Sequence, residues 1–103
     1  MNNITEIEFW NKLNEPEPVI SEIARFDMYV HTWYNDEGQL HRENDLPAVI
    51  WYRRDGSVFK KCWYQNDRLH RIGDPAMILY RKNGSIEREY RHLNGSMHIK
   101  KLY

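Results

Sequence analysis

The chain carries a single cysteine, Cys62, so it can form no disulfide of its own. No stretch approaches the ~18 uninterrupted apolar residues that a membrane-spanning helix requires. Charge of one sign is also lacking. Fifteen basic residues balance fifteen acidic ones, which removes any bulk attraction to nucleic acid or to an anionic membrane. There is no Gly-rich phosphate loop, no His-Glu-x-x-His and no Cys-x-x-Cys. The opening MNNITEIEFW has no basic region followed by an apolar one, as a secretory leader would. Together with the lone thiol, this leads to the expectation of a reducing, cytoplasmic setting without a membrane.

What is present suits a folded protein of one domain, with 41% hydrophobic and 29% charged residues. A chain this short buries one modest core rather than a deep cleft with a separate lid. Aromatic residues are in excess, with four Trp and seven Tyr, and they concentrate after residue 25. Flat rings cover a pleated surface well, so the excess favours strands.

The segment 47 to 71 aligns with 75 to 99 at one constant offset and without a gap. Pro47, Ala48, Ile50, Tyr52, Arg53, Gly56, Ser57, Asn66 and His70 recur as Pro75, Ala76, Ile78, Tyr80, Arg81, Gly84, Ser85, Asn94 and His98. A partial copy over 33 to 48 matches 63 to 76 once a residue is inserted in each of two loops, where repeats tolerate insertion. Asp55-Gly56, Asn83-Gly84 and Asn94-Gly95 lie between runs of β-formers and supply positive φ for hairpin turns. Asn66-Asp67 takes the Asn94-Gly95 place with residues that tolerate a left-handed conformation. Strands are predicted near 27 to 34, 47 to 53, 57 to 65, 75 to 81, 85 to 92 and 97 to 102.

The first residues differ. Ile4, Ile7, Trp10 and Leu13 recur every third position and Thr5 with Glu8 has capping-box spacing, which predicts an amphipathic helix. Pro16 and Pro18 end it, and residues 19 to 25 form either a second short helix or an extended lead-in. The expected fold is mainly β: an antiparallel meander of about two and a half hairpin repeats over 26 to 103. Residues 1 to 25, helix and Pro-containing linker, pack on that sheet.

Tyr52 with Gly56, Tyr80 with Gly84, Leu40-His41-Arg42, Leu69-His70-Arg71, Pro47-Ala48 and Pro75-Ala76 together resemble a variant of the MORN-type repeat. The resemblance covers roughly 26 to 103, with Leu46 and Asp74 standing where the variant carries Gly. It implies a scaffold or binding module rather than an enzyme. It marks His41, Arg42, Pro47, Gly56, His70, Arg71, Pro75 and Gly84 as structural positions of the repeat. The Leu-His-Arg and Pro-Ala form is similar to that of phage and large-virus proteins.

Side chains alternate across a strand. With Asp55-Gly56 as the turn, Val49, Trp51, Val58, Cys62 and Tyr64 share one face, and Met77, Leu79, Ile86, Tyr90 and His92 its continuation; both sets are apolar and read as core. The other face carries Tyr29, His31, Trp33, Tyr52, Phe59, Lys61 and Trp63, then Tyr80, Glu87, Glu89 and Arg91. Tyr29, Trp33, Tyr52, Phe59 and Trp63 thus form either an exposed aromatic patch for a partner or a second core covered by residues 15 to 26.

Five His residues raise a metal site, but repeat copies lie two strand spacings apart, ~9 to 10 Å, too far for one ion. The expected role of these His and the Arg residues beside them is to satisfy backbone carbonyls and nearby carboxylates such as Asp45 and Asp74. Cys62 falls on the core face, where a thiol is inert. Glu87 and Glu89 read as solvating charge. Arg53, Arg54, Lys60 and Lys61, echoed by Arg81, Lys82 and Arg88, interleave with Trp51, Tyr52 and Trp63, yet zero net charge disfavours nucleic acid.

The expected function is therefore a non-enzymatic protein-binding module, a small phage or mobile-element inhibitor or adaptor that occludes a larger host or defence protein. Tyr29, Trp33, Tyr52, Arg54, Phe59, Lys61 and Trp63 make the contact, with the two Trp as anchors and Arg54 or Lys61 setting orientation. No cofactor is expected. Alternatives are single-stranded nucleic-acid binding, or a homo-oligomer that sequesters a small molecule or nucleotide at subunit junctions.

Overall fold

The runs of β-branched and aromatic residues form strands, and the Gly, Asn and Asp pairs between them form the turns. A computed structural model describes residues 16–103; the helix expected over 4–13 lies outside these. The strands are β1 (Val19–Ile23), β2 (Met28–Thr32), β3 (Val49–Arg53), β4 (Val58–Cys62), β5 (Tyr64–Gln65), β6 (Arg68–Leu69), β7 (Met77–Tyr80), β8 (Ile86–Leu93) and β9 (Ser96–Leu102). Seven form one antiparallel sheet in the order β1-β2-β3-β4-β7-β8-β9, and β5 with β6 is a separate small hairpin. Residues 19 to 23 are thus, among the described residues, the edge strand of the sheet rather than a cover on it. Their alternation of Val, Ser and Ile suits pairing with β2, and a 3-10 turn at Ala24–Phe26 reverses the chain.

The hairpin turns are of two kinds. At Arg53 to Ser57, the Gly56 amide donates to the Arg53 carbonyl and Arg53 N–H to the Ser57 carbonyl. Gly56 alone takes positive φ, at 90°, so the turn uses three residues rather than the Asp55-Gly56 pair. One extra residue, Phe59, is then bulged out so that Trp51 still faces Lys60. The bulge carries Val58 to the place opposite Tyr52, off the core row expected for it. Arg81 to Ser85 repeats every bond, and Ile86 likewise faces Tyr80. By contrast, Asn66-Asp67 and Asn94-Gly95 have positive φ at both positions and close tight two-residue hairpins.

One face of the sheet holds the expected core: Val30, Val49 and Cys62 are buried, with Ile23, Leu40, Trp51, Tyr64, Leu69 and Met77 packed around them. Ala48 and Ala76 are fully buried and hand the sheet ladder on, Ala48 N–H to the Cys62 carbonyl and Ala76 N–H to that of Tyr90. A larger residue at either fully buried site has to displace its neighbours, which costs stability.

Burial raises the Cys62 thiol from an ordinary 9.0 to about 11. The folded state thus holds the proton after the unfolded state has released it. Cys62 contributes stability that is present below pH 9.0 and is lost as pH rises toward about 11. A thiol reagent at neutral pH is expected to modify Cys62 only at the rate at which the chain opens, and a rate matching that of a free thiol contradicts its burial.

Candidate functional site

Trp63 follows Cys62 and therefore projects from the opposite face, as Trp33 does beyond Thr32. Both are corners. Trp63 N–H donates to the Ala76 carbonyl within the sheet, while its own carbonyl accepts His70 N–H from the segment beyond the small hairpin. Trp33 does the same with Ala48 and His41. Neither indole is available as a surface anchor: Trp33 is 2% exposed and Trp63 7%. Arg42 stacks on Trp33 at 3.7 Å and Arg71 on Trp63 at 3.9 Å. The indole N–H groups donate to the Pro16 and Asp45 carbonyls. With Ile50 and Ile78 also buried here, this face is in part a second core, which corrects the reading of the two Trp as exposed.

The motif arginines hold this layer together. Arg42 donates to the Pro47 carbonyl and Arg71 to that of Pro75, each at 3.2 Å, which explains why Leu-His-Arg and Pro-Ala recur as a set. Arg71 also reaches Asp45 at 2.9 Å, and this bond holds the Asp45 carboxyl below its usual range. Arg42 and Arg71 thus meet carbonyls and a carboxylate as expected, and His41 Nε2 meets the Glu43 carboxylate at 2.7 Å, but the two Nδ1 atoms play a different part. His41 Nδ1 accepts the Asn66 amide and His70 Nδ1 that of Asn94, while the Leu40 and Leu69 carbonyls accept Asp67 and Gly95 N–H. Each Leu-His pair therefore receives the tight turn of the next hairpin. Among the described residues no three His, Cys, Asp or Glu side chains gather as metal ligands.

The basic cluster is likewise engaged within the chain. Arg53 donates to the carbonyls of Val58 and Tyr80, and Arg81 to those of Ile86 and Tyr103. Each thus ties its turn to the following strand. Arg54 pairs with Glu22 and Asp27 and donates to the Tyr29 hydroxyl, so it joins two neighbouring turns at the surface. Lys60 lies over Trp51 and Lys61 over Tyr80. Tyr29, Tyr52, Phe59 and Lys61 are half-buried, with Tyr52 against His31 at 4.7 Å and its phenol pushed up by burial.

The open apolar surface lies elsewhere. All of β9 is exposed, with Met97 at 56%, Ile99 at 54% and Leu102 at 64%, followed by Tyr103. Gly56 and Gly84 close turns, and Pro47 and Pro75 are buried. The sequence predicts the strand at 97 to 102 and suggests self-association through it, rather than contact with a different protein. The signal is Met97, Ile99 and Leu102 recurring in a short predicted strand that also carries Lys100 and Lys101. No family model, curated protein or solved structure matches this chain.

Proposed function

We propose that this chain is a non-enzymatic protein-binding module, a small inhibitor or adaptor of phage or mobile-element type that occludes a surface of a larger partner. The observation that carries this reading is the β8–β9 ribbon, which presents Met97, Ile99, Leu102 and Tyr103 beside Lys100 and Lys101. With Met97 and Leu102 on one face of this ribbon and Ile99 and Tyr103 on the other, and cations among them, both sides of the edge suit a protein surface better than solvent. The resemblance of residues 26–103 to MORN-type repeats, familiar as scaffolds, supports the same class, and so do the matching ties made by Arg53 and Arg81 and by His41 and His70. On this reading Trp33 and Trp63 are the frame, and Met97 and Ile99 replace them as anchors.

The test is capture of a partner from the source cells, followed by reconstitution from purified components. Wild type is expected to form a saturable complex, and Met97→Ser/Ile99→Ser, still folded by circular dichroism, to lose affinity by about a hundredfold. A complex unaffected by that pair of changes removes the ribbon from the interface.

A further inference from the structure

We propose that β9 binds its partner by strand addition, and that the segment it accepts reads apolar-acidic-acidic-apolar and runs antiparallel to it. This rests on the protein-binding reading and specifies its mode.

The backbone argument starts from one bond. Tyr103 N–H donates to the Glu87 carbonyl at 2.9 Å, which makes that opposed pair a hydrogen-bonded one. Hydrogen-bonded and non-bonded pairs alternate along an antiparallel ladder, so Lys101 with Glu89 and Ile99 with Arg91 also bond inward. Lys100 and Leu102 therefore turn their N–H and C=O groups outward. Among the described residues no strand pairs with that side of β9. It is an open template, and β-strand addition uses this kind of edge.

The side chains set what the template accepts. Along an antiparallel partner, the residues opposite Leu102, Lys101, Lys100 and Ile99 are consecutive. Leu102 and Ile99 are more than half exposed and gain from apolar neighbours, whereas Lys101 and Lys100 gain from carboxylates. Glu89 already stands opposite Lys101, but Lys100 stands opposite Tyr90, and the ribbon as a whole carries Arg88, Arg91, Lys100 and Lys101 against Glu87 and Glu89. The remaining field is positive. That field also opposes a second copy: two-fold pairing centred on Lys100 or Lys101 sets like charges directly opposite, at ~4.5 to 5.5 Å between Cα atoms. Centring on Ile99 instead runs into the irregular register beside His98, where Met97 rather than His98 faces His92.

The experiment titrates the isotope-labelled full chain with the capped peptide Thr-Val-Glu-Glu-Val-Thr, following backbone amides by NMR. Controls are Thr-Val-Lys-Lys-Val-Thr and the rearranged Thr-Glu-Val-Val-Glu-Thr. The Glu-Glu peptide is expected to bind at least about fivefold more tightly than either, with the Lys100 and Leu102 amides shifting most. Lys100→Glu/Lys101→Glu is expected to reverse the preference toward the Lys-Lys peptide. Leu102→Pro removes an N–H that the fold does not use and is expected to weaken binding by about tenfold with the fold intact. Equal binding of the three peptides, or shifts confined to residues around Tyr52 and Phe59, overturns the proposal. So does protection of the β9 amides by concentration alone, which assigns the edge to a second copy. If the peptides fail while the reconstituted complex still depends on Met97 and Ile99, strand addition falls and the binding module stands.

Discussion

Trp63→Ala is expected to lower the unfolding free energy by about 3 to 5 kcal/mol in urea denaturation. Three losses coincide at this site. The indole is 7% exposed, so its removal leaves a cavity that the rigid corner cannot close. The Arg71 guanidinium loses the ring beneath it, a contact at 3.9 Å that is worth up to about 2 kcal/mol when desolvated. The Asp45 carbonyl loses its indole donor, which tethers the preceding loop. For a domain whose whole stability is of order 5 to 15 kcal/mol, the change takes a large share. A loss below about 1 kcal/mol means that Trp63 is a surface residue and that the second core does not exist.

Arg71→Leu is expected to cost about 2 to 3 kcal/mol, although it replaces a charged residue with an apolar one. Leu covers part of Trp63 but gives the Pro75 carbonyl no donor. The exposed Asp45 contact adds little to this, since solvent screens it. It does add a pH signature. The Asp45 carboxyl lies below its ordinary 3.8 because Arg71 bonds it, so its contribution is complete above that value and is lost as pH falls through the lower folded one. In Arg71→Leu the Asp45 carboxyl is expected to titrate at its ordinary position by NMR, and the mutational loss to shrink slightly in acid. An Asp45 titration that does not move shows that Arg71 is not its partner.

Much of the strand pattern was legible because its causes are local. Period-two alternation and paired turn residues placed six of the strands, and the fixed offset from Tyr52 to Tyr80 and from Gly56 to Gly84 anticipated matching hairpins. The extended form of residues 19 to 23 was not decidable, since what makes them a strand is β2, brought alongside by the turn at Ala24–Phe26. The fate of the aromatics was hidden for a related reason. Alternation put Trp33 and Trp63 on the correct face, but whether that face is open depends on Arg42 and Arg71 folding back from beyond the next turn. Recurrence of Leu-His-Arg was visible. Its meaning, a guanidinium on an indole and an imidazole under the neighbouring turn, appears only when the hairpins stand side by side. Similarly, Arg53 and Arg54 look like a cluster for an anion until their bonds to Tyr80, Asp27 and Glu22 are traced.

The two faces and the open edge divide the labour of this small sheet. The Trp–Arg layer and the ties between successive hairpins stiffen a single sheet that has few residues for a core, and a stiff edge costs less entropy when a partner orders on it. The most direct test of a binding module working through its C-terminal ribbon is amide hydrogen exchange of the reconstituted complex against the free chain. New protection concentrated in Ser96–Leu102, with Tyr29, Tyr52 and Phe59 unchanged, is the predicted result. Protection around Tyr29, Tyr52 and Phe59 with β9 exchanging as freely as before contradicts it and returns the interface to the aromatic face.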